Sequence, residues 1–391
     1  MPGPTTKDVA QRLAVSEGTL RRWVRFGLVP TPDGEWSTAA IAQARIVAHL
    51  RERGHGLEEI RRAAESGRLV SGYLQALFPS QEGEHDLRSA AAQVGLEPAL
   101  IERVWVSAGL NPERLSGLTD DDVELLRHIA GALDAGVPLV ALLQLVRVYG
   151  TAVAQIADAE VKLLHLYVHE PMIRDGVPGV RVAEQMQDLA ERLMPLAGPI
   201  IDQLHRRLVQ HFVEQDAVGH LESDAAADGD LGRLRVAIAF ADLAGYTRLT
   251  EQAGEEEAFG VVERFVGAVA QSLPDSARIV KTIGDEVMIV STELSRLVDW
   301  AVTFQARRTE RPLPRIGIHH GRVLYRDGDY FGRAVNLAAR VSARTAGGEV
   351  LVTRPVVEAV GGRRAFTRVG EVKLKGFDAP TELFLAAERA P

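Results

Sequence analysis

The hydrophobic positions change their period once along the chain. From residue 5 to about residue 218 they recur three and four apart, which predicts helices; after about residue 233 they gather in short apolar runs separated by helical stretches. Residues 5 to 65 predict short helices over "TKDVAQRLAVSEGTLRRWVRFGLVP" and "STAAIAQARIVAHLRERGHGLEEIRRAAESG". A turn at Ala14-Val15-Ser16 with Ser16 as N-cap gives a helix-turn-helix layout, whose second helix carries Arg21, Arg22 and Arg25. The same plan returns: residues 9 to 30 lie over 90 to 112, and Gly54, Leu57 and Ile60 lie over Gly136, Leu139 and Leu142, an offset of 81 residues that becomes 82 after the second helix. A second copy is therefore expected over residues 86 to 150. In it the three arginines are replaced by Glu102, Val104 and Ser107 or their neighbours, so the scaffold is kept and the basic face lost.

Residues 151 to 218 continue the helical period, with apolar positions spaced as helices packing on one another or on a partner subunit require. "DAVGHLESDAAADGDLGR" then breaks it with small, acidic and glycine residues, the expected linker over 216 to 233. Beyond it "RVAIAFADL", "RIVKTI", "EVMIVS", "PRIGIHHGRVLY" and "GEVLVT" read as strands alternating with helices such as "AFGVVERFVGAVAQSL" and "AVNLAARVSART". The expected fold class is α+β: an all-helical N-terminal half of helix-turn-helix-like repeats, then a mixed-sheet domain. The domains fall at 1–80, 85–215 and 234–388, with the linker between the last two.

Composition narrows the function classes. At 391 residues the chain is too long for one typical core, and 46% hydrophobic with 25% charged residues is ordinary for a globular protein. No apolar run reaches the roughly 18 residues that a membrane span needs, and "MPGPTTKDVA" shows neither a signal-peptide pattern nor a glycine placed for myristoylation, so a cytoplasmic protein is expected. The absence of cysteine excludes disulfides, thiolate metal sites and a cysteine nucleophile. A formal charge of -8 excludes a nucleic-acid coat and confines any DNA contact to a local basic face.

The candidate chemistry centres on Arg278 to Val290, "RIVKTIGDEVMIV". Two apolar runs around Gly284-Asp285 predict a hairpin with a tight, glycine-first turn, yet Lys281 interrupts the first run and Glu286 follows the turn acid. Asp242 ends the strand "RVAIAFADL" and precedes "AGYT", where Gly245 and Thr247 at a helix start can offer groups to phosphate oxygens. Alone, Asp242 reads as a helix cap and Asp285 as a turn residue. Together, two carboxylates from adjacent sheet elements are how Mg²⁺ is commonly presented to a triphosphate. Asn336 and Arg340 stand four apart on one helix face, an amide suited to a sugar oxygen and a guanidinium suited to a phosphoryl group.

Five ordered motifs, "FADLAGYT", "KTIGDEVMIV", "GIHHGRV", "GDYFGRAVNLAAR" and "LKGF", resemble the class III nucleotidyl cyclases over about residues 233 to 388. The resemblance implies a ferredoxin-like mixed sheet and adenylate cyclase activity. It implies that Asp242 and Asp285 bind two Mg²⁺ or Mn²⁺ ions, that Lys281 and Asp329 read adenine, and that Asn336 orients the ribose. It further implies that Arg340 stabilises the transition state, that Lys375 holds the triphosphate, and that sites are shared across a head-to-tail homodimer. Donor and acceptor logic agrees on ATP: Lys281 can donate to adenine N1 and Asp329 accept from its 6-amino group, roles that guanine reverses. The diguanylate cyclase hairpin is a poorer match, since Ile283 and Val287 stand where that pattern has a glycine and an aromatic residue.

Residues 5 to 65 resemble a MerR-type DNA-binding domain in "TLRRWVRFGLVP" and "HLRERGHGLEEI", with "DGEWS" where that family carries its wing. Two uses stand side by side, a packing and dimerisation module or a DNA contact. The second would make the chain a transcription regulator with the cyclase-like domain as its nucleotide sensor. Residues 85 to 215 resemble the N-terminal autoregulatory helical domain of soluble actinobacterial cyclases. That resemblance implies a response to a signal such as pH or a lipid effector. His205, His211 and His220 near the linker read either as a pH switch or as histidines without a regulatory role, and His319 and His320 read as part of the fold.

Overall fold

The structure, a computed structural model, describes residues 4–29, 31, 36, 38–65, 83–177, 179–222 and 233–388. It divides into two units, Met1–Arg207 and Leu208–Pro391.

The first unit is helical and built twice on one plan. Helices α1 (Thr6–Arg12), α2 (Glu17–Arg25), α3 (Thr38–Glu52) and α4 (Leu57–Glu65) are followed by α5 (Leu87–Val94), α6 (Pro98–Ser107), α7 (Asp120–Asp134) and α8 (Leu139–Leu164). Their starts differ by 81, 81, 82 and 82 residues (6 to 87, 17 to 98, 38 to 120, 57 to 139). A helix leaves its first N–H groups without internal partners, and side chains supply them here: Ser16 accepts from Thr19 N, Asp86 from Ser89 N, and Thr5 and Thr119 each form a capping box. The cores correspond as well, with Leu20, Trp23 and Ile60 in one and Ile101, Val104 and Leu142 at the equivalent places in the other.

This register corrects the fate of the three arginines. Arg21, Arg22 and Arg25 lie over Glu102, Arg103 and Val106, so one positive charge persists, while Val104 matches the buried Trp23. Of the segment expected as a wing, Trp36 is described. It is buried and donates Nε1–H to Thr6 Oγ1 at 3.0 Å, which ties it into the first core.

Helix α8 continues through a π turn, His165–His169, into α9 (Glu170–Arg174). His169 is buried there, its Nδ1 2.9 Å from His165 Nδ1. Among the described residues this stretch, Leu139–Arg174, is long and apolar enough to cross a membrane by length and composition, with mean hydropathy 1.6 in its most apolar window and 11% of that window buried. No single apolar run marks it in the sequence, because charged residues such as Arg147 interrupt the apolar positions.

Helix α10 (Gly179–Glu222) carries Pro195 and Pro199 and extends beyond residue 216, where the linker was expected to begin. Residues 216 to 222 hold one glycine among helix-tolerant residues, and Gly and Asp crowd together only later; residues 223–232 lie outside the described part. Leu196, Ile200, Leu204, Leu208 and Phe212 form an exposed apolar stripe along this helix, each four residues from the last.

The second unit is a sheet in the order β2-β3-β1-β4-β6-β8-β7, with β5 paired to β4. The strands are β1 (Arg233–Leu243), β2 (Ala277–Ile283), β3 (Glu286–Ser291), β4 (Pro314–Arg326), β5 (Asp329–Phe331), β6 (Val350–Thr353), β7 (Ala365–Val372) and β8 (Thr381–Ala387). The β4–β6 pair is parallel and the other named pairs antiparallel, so the expected mixed sheet is present. Helices α11 (Tyr246–Ala253), α12 (Glu255–Ser272), α13 (Leu294–Ala306), α14 (Arg333–Arg344) and α15 (Arg354–Val360) complete it.

The central strand β1 is apolar without a break from Val236 to Ala241 because both its faces are covered there. Ala237, Ala239, Ala241 and Leu243 pack with Phe265 of α12 and Leu297, Trp300 and Phe304 of α13, while Val236, Ile238 and Phe240 meet Ala334 and Ala338 of α14 on the other face. Helix α14 lies so close to β4 that a Cβ on Gly317 would sit 2.1 Å from Ser342 N. The glycine of "GIHHG" is thus a seat for the helix that carries Asn336 and Arg340.

Candidate active site

Asp242 closes β1 and is buried at 8% exposure. In the antiparallel register it faces Arg315 of β4, whose Nε donates to Asp242 Oδ2 at 2.8 Å and whose Nη2 donates to the same oxygen. Asp285, at the tip of the β2–β3 hairpin, reaches the same place. Its carboxyl is pushed up to about 7, by burial first and then by the hydrogen bond to Asp242 and the charge on it, against backbone N–H groups of Asp285 and Leu243 that favour the anion. Glu286 is raised by burial and by Asp242, and Arg315 and Arg340 act in the opposite sense. A cation bound between the two would remove the cause that holds the proton on Asp285.

The hairpin turn is as tight as the sequence predicts. Gly284 and Asp285 alone separate β2 from β3, with Gly284 at φ +63° and Asp285 outside the left-handed region, the combination a type II′ turn needs. The lysine inside the apolar run has a cause that the sequence did not reveal. Ile279 pairs with Ile289, but Lys281 pairs with Met288, so Val280 is the extra residue of a β-bulge. In an unbroken ladder Lys281 would face Val287, which points into the core against α12 and α13. The bulge sets it opposite Met288 instead, on the other face of the sheet. There its ammonium forms an ion pair with Asp329 of β5, which also accepts from Tyr330 N at 2.8 Å.

The predicted residues therefore come together in two pairs, Asp242 with Asp285 and Lys281 with Asp329. Gly245 is the N-cap of α11, which has no side-chain cap, and Thr247 stands exposed in its first turn. That leaves N–H groups beside the carboxylates open to an anion. Asn336 and Arg340 share an exposed face of α14, and Lys375 is exposed beyond β7. Within the described residues none of these three side chains forms a hydrogen bond or ion pair, though Arg340 lies within electrostatic reach of Glu286. His319 is buried and hydrogen-bonded to Thr353 Oγ1 at 2.8 Å; burial lowers it to about 4, so it stays neutral as part of the fold.

The donors fit a hard divalent cation. All are oxygens, one acid is poised to exchange its proton, and no set of three His, Cys, Asp or Glu side chains gathers among the described residues. Mg²⁺ commonly accepts one or two carboxylates and completes its shell with water and substrate phosphate. Arg315 was missed in the sequence, because its place beside Asp242 depends on strand register rather than on any motif. Its one local signal was a charge directly before the apolar positions Ile316 and Ile318 of β4.

A model of the adenylate and guanylate cyclase catalytic domain matches residues 233–387, and a model of the adenylate cyclase regulatory domain matches residues 31–212. The regulatory match opens inside the first helical repeat, ahead of residue 85, where that domain was expected to start. An uncharacterized protein of Mycobacterium tuberculosis (strain ATCC 25618 / H37Rv) is 32% identical over 363 residues, covering 88% of this chain and 89% of that one. An adenylate cyclase of Streptomyces griseus is 31% identical over 287 residues, covering 71% and 69%. A pH-sensitive adenylate cyclase of Mycobacterium tuberculosis (strain CDC 1551 / Oshkosh) is 29% identical over 332 residues, covering 83% and 81%. With an adenylate cyclase aligned over more than two thirds of both chains and the two domain models in order, the chain belongs to the class III adenylate cyclases.

Proposed function

We propose that the chain converts ATP to 3′,5′-cyclic AMP and pyrophosphate at two equivalent sites, each shared between the subunits of a homodimer. The observation that carries this reading is the β2–β3 hairpin, which holds Asp285 against Asp242 at its tip and Lys281 against Asp329 beyond the bulge. Among the described residues Asn336, Arg340 and Lys375 stand exposed with no side-chain hydrogen bond or ion pair. A second copy can present them to the carboxylate pair. The exposed apolar positions of α10 from Leu196 to Leu208 favour such a copy too, since an exposed apolar helix face of this kind is commonly buried by association.

In this reading Asp242 and Asp285 hold two Mg²⁺ or Mn²⁺ ions, which when bound neutralise the phosphates and acidify the ribose 3′-hydroxyl. Arg315, released from Asp242, is placed to meet the triphosphate together with Lys375, Gly245, Thr247 and the start of α11. Lys281 donates to adenine N1 and Asp329 accepts from the 6-amino group, while Asn336 orients the ribose. The 3′-oxygen gives its proton to solvent water and bonds to the α-phosphorus as the bond to the bridging oxygen breaks, that oxygen leaving with pyrophosphate. Arg340 meets the charge that develops.

The helical half restrains this reaction in response to a signal. The relative named as pH-sensitive makes proton concentration the first signal to test. His205 and His211 stand exposed on α10, and the side chain of His220 lies outside the described residues. The purified full chain with Mn²⁺ is expected to form cyclic AMP from ATP, much less cyclic GMP from GTP, and to do so with a pH dependence. Absence of product from ATP at every pH tested would overturn the assignment of these residues.

A further inference from the structure

Arg278 stands three residues before Lys281 on β2, yet among the described residues it pairs with neither the carboxylates nor the Lys281–Asp329 pair. Its Nη2 donates to the Tyr330 hydroxyl at 2.6 Å. Its guanidinium also lies 5.2 Å from the ring centre of Phe212 and 5.6 Å from that of Tyr330. No carboxylate pairs with Arg278 among the described residues. Its charge rests on two aromatic rings and one phenol oxygen, contacts that fix position more than they neutralise.

Tyr330 carries that position onward. The residue is 6% exposed and packs against Tyr325 at 5.1 Å between ring centres. Its N–H holds Asp329 Oδ1 at 2.8 Å while Asp329 Oδ2 takes the Lys281 ammonium, so each carboxylate oxygen has its own anchor. At the other end, Phe212 belongs to the part of α10 that lies in the second unit. Gln215, one turn on, donates to the backbone oxygen of Asp275 just ahead of β2.

We infer that Arg278 is a positioning residue for base recognition, clamped between Phe212 of the long helix and Tyr330 of β5, so that the seat of α10 sets the alignment of Asp329 with Lys281. This rests on the base-reading role proposed for that pair. Loosening the helix frees Arg278, releases Tyr330 and misaligns the acceptor for the 6-amino group. The metal pair is left as it was.

The test uses the full chain with saturating Mn²⁺ and compares ATP with GTP. Phe212→Leu, Arg278→Gln and Tyr330→Phe are each expected to raise KM for ATP about fivefold, the worth of one hydrogen bond or cation–π contact near 1 kcal/mol, and to narrow the preference for ATP with kcat changed less. Arg278→Lys recovers part of the loss. The Phe212→Leu, Arg278→Gln double variant is no worse than Arg278→Gln alone, because the two act as one clamp. Additive effects, or a fall in kcat at unchanged KM, would overturn the proposal. A separate readout is the NMR signal of Tyr330 in protein with labelled tyrosine, assigned through Tyr330→Phe. Both Arg278→Gln and Phe212→Leu must move it, and a signal that either leaves in place overturns the clamp. If instead that signal moves while Lys281→Ala and Asp329→Ala leave the ATP preference intact, the clamp stands and the base-reading role fails.

Discussion

Asp285 sits at about 7 because folding buries it beside Asp242, and this gives the protein a pH signature of its own. The folded value lies above the ordinary 3.8, so the stability tied to this group is fully present below about pH 4 and lost as pH rises through about 7. Glu286, raised by the same causes, adds in the same direction. Metal-free protein is therefore expected to melt at a lower temperature at about pH 8 than at about pH 5, and a divalent cation to raise the melting temperature more at the higher pH. Asp285→Asn should flatten this pH dependence while abolishing activity. A steeper dependence in that variant would contradict the account. Arg315 tempers the same site, since its guanidinium already shields Asp242.

At the scale of elements, the local patterns were legible in the sequence. The hairpin with its glycine-first turn, the apolar central strand and the twice-built helical plan all show in spacing alone, because each depends on neighbours within one or two turns of chain. What depends on pairing between distant strands did not show. The bulge at Val280 exists only relative to β3, and the meeting of Arg315 with Asp242 joins residues 73 apart. The π turn at His165–His169 and the run of α10 to Glu222 were likewise hidden, the first inside an unbroken helical period and the second among residues neutral between helix and linker.

The close seat of α14 makes a prediction at this scale. Gly317→Ala puts a methyl group 2.1 Å from Ser342 N, backbone that cannot swing aside, so the helix must shift. We expect it to lower stability by about 1 to 3 kcal/mol, as overpacking does. Activity should fall further, since Asn336 and Arg340 move with the helix. A variant with wild-type melting and turnover would show that α14 is not held to the sheet at this point.

At the scale of the whole molecule, the helical half accounts for more than half of the chain, and a regulatory-domain match spans most of it. Its two copies of one plan, one with three arginines on its second helix and one with a single arginine, show a scaffold used twice with different surfaces. The exposed apolar positions on α10 and along α8 leave large faces for association, and the proposed chemistry needs it.

Sharing of the site can be read directly by mixing two inactive variants. Lys281→Ala removes the base donor and Asp285→Ala removes a metal ligand, two residues on one hairpin that the account sends to different sites. Each variant alone should be inactive. Mixed in equal amounts and allowed to exchange subunits, they should recover about a quarter of wild-type cyclic AMP formation, because half the dimers are mixed and each mixed dimer has one intact site. No recovery after demonstrated subunit exchange would place Lys281 and Asp285 in the same site and contradict the shared dimer.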